Sequence, residues 1–130
     1  MRRAILTAVA AVTLAACHHG SAPSPAIEPS LPFSQAQVAL GDSLFHNTSC
    51  WRCHGADAQG TVNGPTLRGA MFRHITGSYE DIVHIVTTGI PRTEVIDPTH
   101  KLEMRPRGGL ALADDQIRAI AAYVYTISRR

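Results

Sequence analysis

Apolar residues recur at the spacing of an α-helix in three stretches of the chain, at about 34–46, 78–89 and 114–128. In each stretch they form one face, which predicts three amphipathic helices. The residues predicted to face inward are Val38, Gly41, Phe45, Tyr79, Ile82, Val83, Val86, Ile117, Ile120, Ala121, Val124 and Ile127. No segment alternates apolar and polar residues as a half-buried strand does, so the predicted fold class is all-α.

The ends of these stretches carry recognisable helix signals. Ser34 precedes Gln37 by three residues, which is the capping-box pattern of a helix start. Gly89 is expected to end the second helix in a left-handed conformation. Ala113 holds the cap position of the third helix and caps poorly, and the two aspartates that follow it partly compensate through the helix dipole.

Residues 1–16 have the pattern of a signal peptide. Arg2 and Arg3 supply a charged start, and an apolar run over 4–16 follows. This run is too short to span a bilayer as a helix, so it predicts a secretory signal rather than a transmembrane segment.

The end of that run, Leu14-Ala15-Ala16-Cys17, resembles the bacterial lipobox. The resemblance implies cleavage before Cys17 and acylation of this cysteine, whereas the alternative is an ordinary signal peptide cut after an Ala-x-Ala-like site. The prediction is an exported protein, lipid-anchored to a bacterial membrane, with its domain in the periplasm or otherwise outside the cytoplasmic membrane.

A proline-rich linker is predicted to follow, and it divides the chain into three parts. Pro23, Pro25, Pro29 and Pro32 stand among Ser, Ala and Gly without a periodic apolar face. Such a segment favours an extended course at roughly 3 Å per residue, or a tether of up to about 45 Å. The predicted parts are the signal peptide at 1–16, the lipidated cysteine and linker at 17–33, and one domain at 34–130.

The sequence Cys50-Trp51-Arg52-Cys53-His54 carries the clearest chemistry, because C-x-x-C-H is the attachment signature of c-type haem. The two thiols would bond the vinyl groups of the porphyrin, with a tight turn between them, and His54 would coordinate the iron. A zinc site would need further ligands, and a thioredoxin-like dithiol would need a strand before the motif and a helix after it. One covalent haem c is the predicted cofactor, and with Cys17 acylated no disulfide is expected.

The second iron ligand is predicted to be Met104. Met1 leaves with the signal peptide, and Met71 precedes the second helix, whereas Met104 follows that helix in an irregular loop with proline and glycines. Met71 and the adjacent Phe72 are interpreted as pocket packing. The competing ligands are His84 and His100, either of which would give bis-histidine haem.

Composition changes this picture little. The chain has 12 Lys and Arg against 10 Asp and Glu, and loss of Arg2 and Arg3 with the signal would equalise them. The basic pI of the full chain therefore says nothing about affinity for nucleic acid, and no nucleic-acid partner is predicted. Aromatic residues make up 5% of the chain, a low content for the core of a domain of this size. A buried porphyrin would supply the missing apolar volume.

The order of motifs resembles that of the class I c-type cytochromes across 34–128. The motifs are Gly41-x-x-x-Phe45, Cys50-x-x-Cys53-His54-Gly55, Asn63-Gly64-Pro65-Thr66-Leu67, Met104 before Pro106 and a Gly-Gly pair, and Ile120-Ala-Ala-Tyr123. The resemblance implies that the first and last helices cross near a right angle, with Gly41 and Phe45 packed on Ile120 and Tyr123. It also implies that the Pro65 carbonyl accepts a hydrogen bond from the ligand histidine and, more loosely, that Arg73 contacts a haem propionate.

The predicted function is a membrane-tethered single-electron carrier with His/Met haem, not an enzyme, whose partners are redox proteins and which has no small-molecule substrate. One alternative is a haem enzyme or gas sensor with a labile distal ligand, for which His74, His84 and His100 are available. Another is the electron conduit of a dehydrogenase or terminal oxidase complex.

A positive rim is predicted around the Met104 loop. Lys101, Arg105 and Arg107 crowd this loop with Glu103 between them, and Arg52 lies between the haem cysteines. Such a rim would steer an acidic partner, and the alternative is that these are solvated side chains.

Overall fold

The computed structural model describes residues 30–69, 71–100 and 102–130. The predicted signal peptide, Cys17 and most of the predicted linker therefore lie outside the described residues. So does Lys101 of the predicted positive rim.

Four α-helices make up the described chain: α1 Gln35–Asn47, α2 Cys50–His54, α3 Tyr79–Thr88 and α4 Asp114–Ile127. Short 3₁₀ turns lie at Arg92–Glu94 and Pro106–Gly109. The described ranges contain isolated bridges, Thr61 to Gly64 and Ile90 to Met104, but no strand. The all-α prediction is confirmed, and the tight turn expected between the two cysteines is instead the helical turn α2.

The helix ends follow their local signals closely. Ser34 Oγ accepts from the Gln37 amide at 3.2 Å, and Gln37 Oε1 accepts from the Ser34 amide at 2.8 Å, which completes the capping box. Gly89 ends α3 with a φ of 70°. At α4 the side chain of Gln116 accepts from the Ala113 amide at 3.0 Å, so this residue supplies half of a cap that Ala113 lacks.

The predicted inward faces are confirmed, because all three helices contribute to one core. Val38 and Val83 are partly buried beside it. The buried apolar residues are Phe45, Ala58, Leu67, Tyr79, Ile82, Val86, Ile117, Ala119, Ile120, Ala121, Ala122, Tyr123, Val124 and Ile127.

The helices α1 and α4 meet at Gly41. A Cβ on Gly41 would lie 1.9 Å from the carbonyl oxygen of Ala119 and 2.9 Å from the Cβ of Tyr123. The ring of Phe45 lies 5.4 Å from that of Tyr123, centroid to centroid. The expected contact with Tyr123 is present, while the backbone that approaches Gly41 most closely is that of Ala119 rather than Ile120.

The core packing leaves a concave face between α2, α3 and the chain that precedes α4. Within the described ranges, no helix combines the length and apolar character that crossing a bilayer requires.

Candidate haem site

A cavity of about 840 Å³ occupies this concave face. Its volume is within the range of small-molecule and cofactor sites, and its wall is largely apolar. The residues of the C-x-x-C-H motif line it together with apolar side chains from α3, α4 and the loops, among them Leu67, Phe72, Ile75, Ile82, Ile85, Val86, Leu112, Ile120 and Val124.

The helix α2 presents Cys50 and Cys53 to this cavity. Both thiols are free and partly buried. Burial raises the pKa of the Cys50 thiol, and the hydroxyl of Thr48, 3.3 Å from its Sγ, opposes that effect. The one-turn helix therefore brings both cysteine side chains to the same cavity.

The last residue of α2, His54, is oriented by the loop that follows. Its Nδ1 lies 2.9 Å from the carbonyl oxygen of Pro65, the residue that the family resemblance indicated. Since a carbonyl oxygen can only accept, Nδ1 carries the proton and donates it, which leaves the lone pair on Nε2. The loop itself is held by the Leu67 amide, which donates to the carbonyl of Ala58 at 2.8 Å.

Burial lowers the pKa of His54, and the charge of His100 lowers it further, while the hydrogen bond to Pro65 acts in the opposite direction. The imidazole is consequently neutral near neutral pH. A neutral ring with a fixed Nδ1 proton and a free Nε2 is the form of histidine that binds a metal.

The two candidate methionines differ sharply in their surroundings. Met104 lines the cavity, is partly buried and packs against the core. Its backbone forms a bridge with Ile90, in which each amide donates to the other residue's carbonyl at 2.7 Å and 3.0 Å. Met71 is at the cavity edge with 94% of its surface exposed, so the packing role expected for it is absent, whereas Phe72 does contact the core.

The three histidines considered as alternative ligands differ in how exposed they are and in whether they line the cavity. His84 is exposed on α3 and is not part of the cavity wall, and His74 is exposed at its edge. His100 lines the cavity, partly buried, with Nδ1 3.1 Å from Oδ2 of Asp97. Of the three, His100 has the geometry of a possible ligand.

Asp97 organises a small polar cluster at the cavity wall. The Thr99 amide and then the His100 side chain hold the pKa of this carboxyl at about 2. The Arg73 Nε lies 3.8 Å from the same carboxylate, with its side chain more than half exposed. Arg73 therefore reaches the cavity while forming a weak surface ion pair.

The predicted positive rim is reduced by internal ion pairs. The guanidinium of Arg107 donates to Asp114 Oδ1 at 2.8 Å and to the carbonyl of Leu112 at 2.5 Å. Arg105 pairs with Glu103 at 3.2 Å. Arg107 is therefore paired rather than free at the rim, because it joins its loop to the start of α4.

Sequence reasoning missed several contacts around the site. The hydroxyl of Ser49 donates to the carbonyl of Gly108 at 2.6 Å, and His46 reaches the carbonyl of Ala56. Both join segments that are remote in the chain through a backbone oxygen, which leaves no local pattern. The Asp97 cluster did have a local signal, since an aspartate two residues before a threonine often accepts from its backbone amide.

These residues fit a covalent haem. The cavity is apolar where a porphyrin needs an apolar wall, two thiols lie on one helical turn, and a neutral imidazole follows them with Nε2 available. A thioether lines the same cavity from a different loop.

Comparison with known proteins agrees with this fit. The family profile described as Cytochrome c matches residues 38–128. The chain is also 29% identical over 91 residues to the Cbb3-type cytochrome c oxidase subunit CcoP of Rubrivivax gelatinosus, a match that covers 70% of this chain and 26% of that protein. No solved structure gives a significant match. The chain belongs to the cytochrome c family, as a class I c-type cytochrome that carries covalently bound haem c and serves haem-based electron transfer.

Proposed function

We propose that the protein is a single-electron carrier whose haem is attached through Cys50 and Cys53 and ligated by His54 and Met104. The observation that carries this proposal is that an oriented, neutral imidazole and a partly buried thioether line the same cavity. The His54 ring is held by its hydrogen bond to the Pro65 carbonyl, and the Met104 backbone is held by its two hydrogen bonds with Ile90.

The haem supplies an iron that exchanges one electron between its two oxidation states. The protein residues set how readily that happens. The Met104 thioether together with the His54 imidazole would favour iron(II), would raise the potential and would fill the remaining ligand position. Because Met104 would occupy that position, a substrate would have no place to bind, which supports an electron carrier over an enzyme.

The surroundings of the two ligands support fast transfer with little rearrangement. Pro65 holds the His54 ring in one tautomer, and the apolar wall from α3 and α4 would pack against a bound porphyrin. Arg73, exposed at the cavity and only weakly paired with Asp97, is proposed to meet a carboxylate of the porphyrin. A guanidinium is well suited to a carboxylate because it presents parallel donors.

The proposal includes a tether. Acylated Cys17 would anchor the domain to a bacterial membrane outside the cytoplasm, and the proline-rich segment would give it reach. Redox proteins are the proposed partners.

A second candidate function is the electron conduit of a larger complex. The chain spans about a quarter of the length of CcoP, and its likeness to that oxidase subunit favours this candidate.

The test is an optical and redox titration of the purified holoprotein. We expect low-spin haem with a weak far-red sulfur-to-iron(III) band in the oxidised state. Met104→Ala should abolish this band, lower the potential and open the iron to carbon monoxide. Met71→Ala is the matched control because it removes an exposed methionine at the edge of the same cavity.

Two results would overturn the ligand assignment. The first is loss of the far-red band in Met71→Ala but not in Met104→Ala. The second is a wild-type spectrum without that band that changes in His100→Ala, which would indicate bis-histidine haem. Binding of carbon monoxide by the reduced wild-type protein would favour the alternative of a gas sensor or haem enzyme with a labile distal ligand.

A further inference from the structure

The loop that carries Met104, residues 102–110 and here called the ligand loop, is held by groups outside it. At Met104 it is joined to Ile90 by the two reciprocal backbone hydrogen bonds. Ile90 comes directly after Gly89, the residue that ends α3. The position of Met104 thus depends on where α3 ends and how closely the two backbones approach.

Gly89 makes this close approach possible. A Cβ on Gly89 would lie 2.2 Å from the carbonyl oxygen of Met104, 2.7 Å from the amide nitrogen of Pro106 and 2.9 Å from the carbonyl carbon of Arg105. All three are backbone atoms, which cannot move aside as a flexible side chain can. Gly89 also has a φ of 70°, a region that residues with a Cβ adopt at a cost.

The far end of the ligand loop is held by Ser49. Its hydroxyl donates to the carbonyl of Gly108 at 2.6 Å, although the two residues are 59 positions apart. Ser49 immediately precedes Cys50, and its side chain makes no capping hydrogen bond to α2. The Ser49 hydroxyl therefore stabilises the ligand loop and does not cap the helix that follows it.

The backbone of the ligand loop is strained where Ser49 contacts it, so the loop depends on stabilising contacts from residues outside it. Arg107 has a φ of 54° and Gly108 a φ of 64°, two consecutive left-handed residues, the first of which carries a side chain. Such conformations cost free energy and persist when surrounding contacts enforce them. The bonds from Ser49 to Gly108 and from Arg107 to Asp114 and to the Leu112 carbonyl are contacts of this kind.

We propose that Gly89 and Ser49 are positioning residues that hold the ligand loop at both ends and so keep the Met104 thioether at the haem. The inference rests on the proposed function, in which Met104 is a ligand. A thioether is a replaceable ligand, and a loop already held in place loses less conformational freedom when its methionine binds. Loosening either end therefore favours replacement by a ligand from solution.

The experiment measures imidazole binding to the oxidised holoprotein by its optical spectrum. Gly89→Ala and Ser49→Ala should each raise the apparent affinity for imidazole, by up to about tenfold for the loss of one hydrogen bond at Ser49. For Gly89→Ala the control is Gly69→Ala, since Gly69 also has a positive φ, 54°, but its Cβ would meet nothing closer than 3.4 Å. For Ser49→Ala the control is Ser43→Ala, which removes an exposed hydroxyl from α1.

Wild-type imidazole affinity in a folded Gly89→Ala or in Ser49→Ala overturns the assignment of that residue, and increases of the same size in the controls overturn both. If Gly89→Ala yields no holoprotein, Ser49→Ala decides whether the loop is held. Failure of the proposed function is distinguishable, because the far-red band would then be absent from the wild type or retained in Met104→Ala, whatever the other variants do.

Discussion

His46 of α1 hydrogen-bonds across to Ala56, two residues beyond the candidate ligand His54, with Nε2 2.5 Å from the Ala56 carbonyl oxygen. Its Nδ1 lies 2.8 Å from the carbonyl oxygen of Asp42 and 3.0 Å from a carboxylate oxygen of the same residue. A carbonyl oxygen only accepts, so both nitrogens donate only in the protonated ring. The imidazolium thus ties α1 to the loop that follows α2.

The first prediction is a pH dependence that arises from this tie. The Asp42 carbonyl, aided by the Ala56 carbonyl and the Asp42 carboxylate, raises the pKa of His46, against a smaller effect of burial. A pKa raised in the folded state means that the added stability is present below the ordinary value and is lost as pH rises through the folded value. The ring of Tyr123 in α4, a further titratable group, lies 6.1 Å from the His46 ring, centroid to centroid.

The check is urea unfolding of the holoprotein and of His46→Gln between about pH 5 and pH 9. The free energy of unfolding of the wild type should exceed that of His46→Gln at the acid end, and the difference should shrink as pH rises. A difference that stays constant over this range would show that protonation of His46 does not stabilise the fold.

The second prediction concerns the crossing of α1 and α4. At a helix position with free space around it, a change from Gly to Ala would stabilise the protein by roughly 0.5–1 kcal/mol. At Gly41 the added methyl would lie 1.9 Å from the Ala119 carbonyl oxygen, so the helices must separate. We expect Gly41→Ala to destabilise the holoprotein by about 1–3 kcal/mol, as overpacking does.

Chemical unfolding of Gly41→Ala measures this change. The control is Ala39→Gly, at an exposed position of the same helix, which should cost about 1 kcal/mol from helix propensity alone. A gain in stability for Gly41→Ala would contradict the close crossing.

The third prediction concerns the proposed anchor at Cys17. Cys17→Ser should release the protein from membranes and leave the haem spectrum unchanged, because Cys17 lies outside residues 38–128, which match the cytochrome c family. Membrane fractionation and the mass of the native N-terminus test this. An unmodified N-terminus that begins at another residue would contradict lipid anchoring, whereas an acylated Cys17 with more than one chain would explain stable attachment.

The fourth prediction concerns the charges that remain at the cavity mouth. Arg52 is exposed there, with its guanidinium 5.9 Å from the ring of Trp51, and Arg105 is exposed although paired with Glu103. Arg52→Gln should slow association with an acidic redox partner by roughly twofold at low ionic strength, the effect of a unit charge about 10 Å away in water.

Stopped-flow rates across ionic strength measure this effect. Arg118→Gln is the control, since Arg118 is on α4, pairs with Glu80 and is not part of the cavity wall. Equal rates for Arg52→Gln and the wild type at all salt concentrations would exclude steering by this residue.

Much of the fold could be predicted from the sequence because its causes are local. The three amphipathic stripes, the capping box at Ser34 and the glycine at the end of α3 each depend on residues within a few positions of one another. The C-x-x-C-H motif is equally local, since both sulfurs and the imidazole lie within one helical turn. Periodicity and spacing carry that information without tertiary structure.

The proposal that Met104 is the second iron ligand depends on more than spacing. Chain order favoured Met104 over Met71, and the structure adds the burial of Met104 and its bridge to Ile90, while Met71 is exposed. His100 remained a competitor because an aspartate beside it orients its ring, as many ligand histidines are oriented.

The sequence by itself determined the helices, the haem motif and its family. Only the tertiary structure decided which backbone atoms meet: Gly89 against Met104, Ser49 against Gly108, and His46 against Ala56. It also decided that Arg107 is paired with Asp114 rather than free at the rim. Each of these contacts forms when separate parts of the chain pack together. Because every residue has the same backbone carbonyl, no side-chain pattern in the sequence predicts which carbonyl will be contacted.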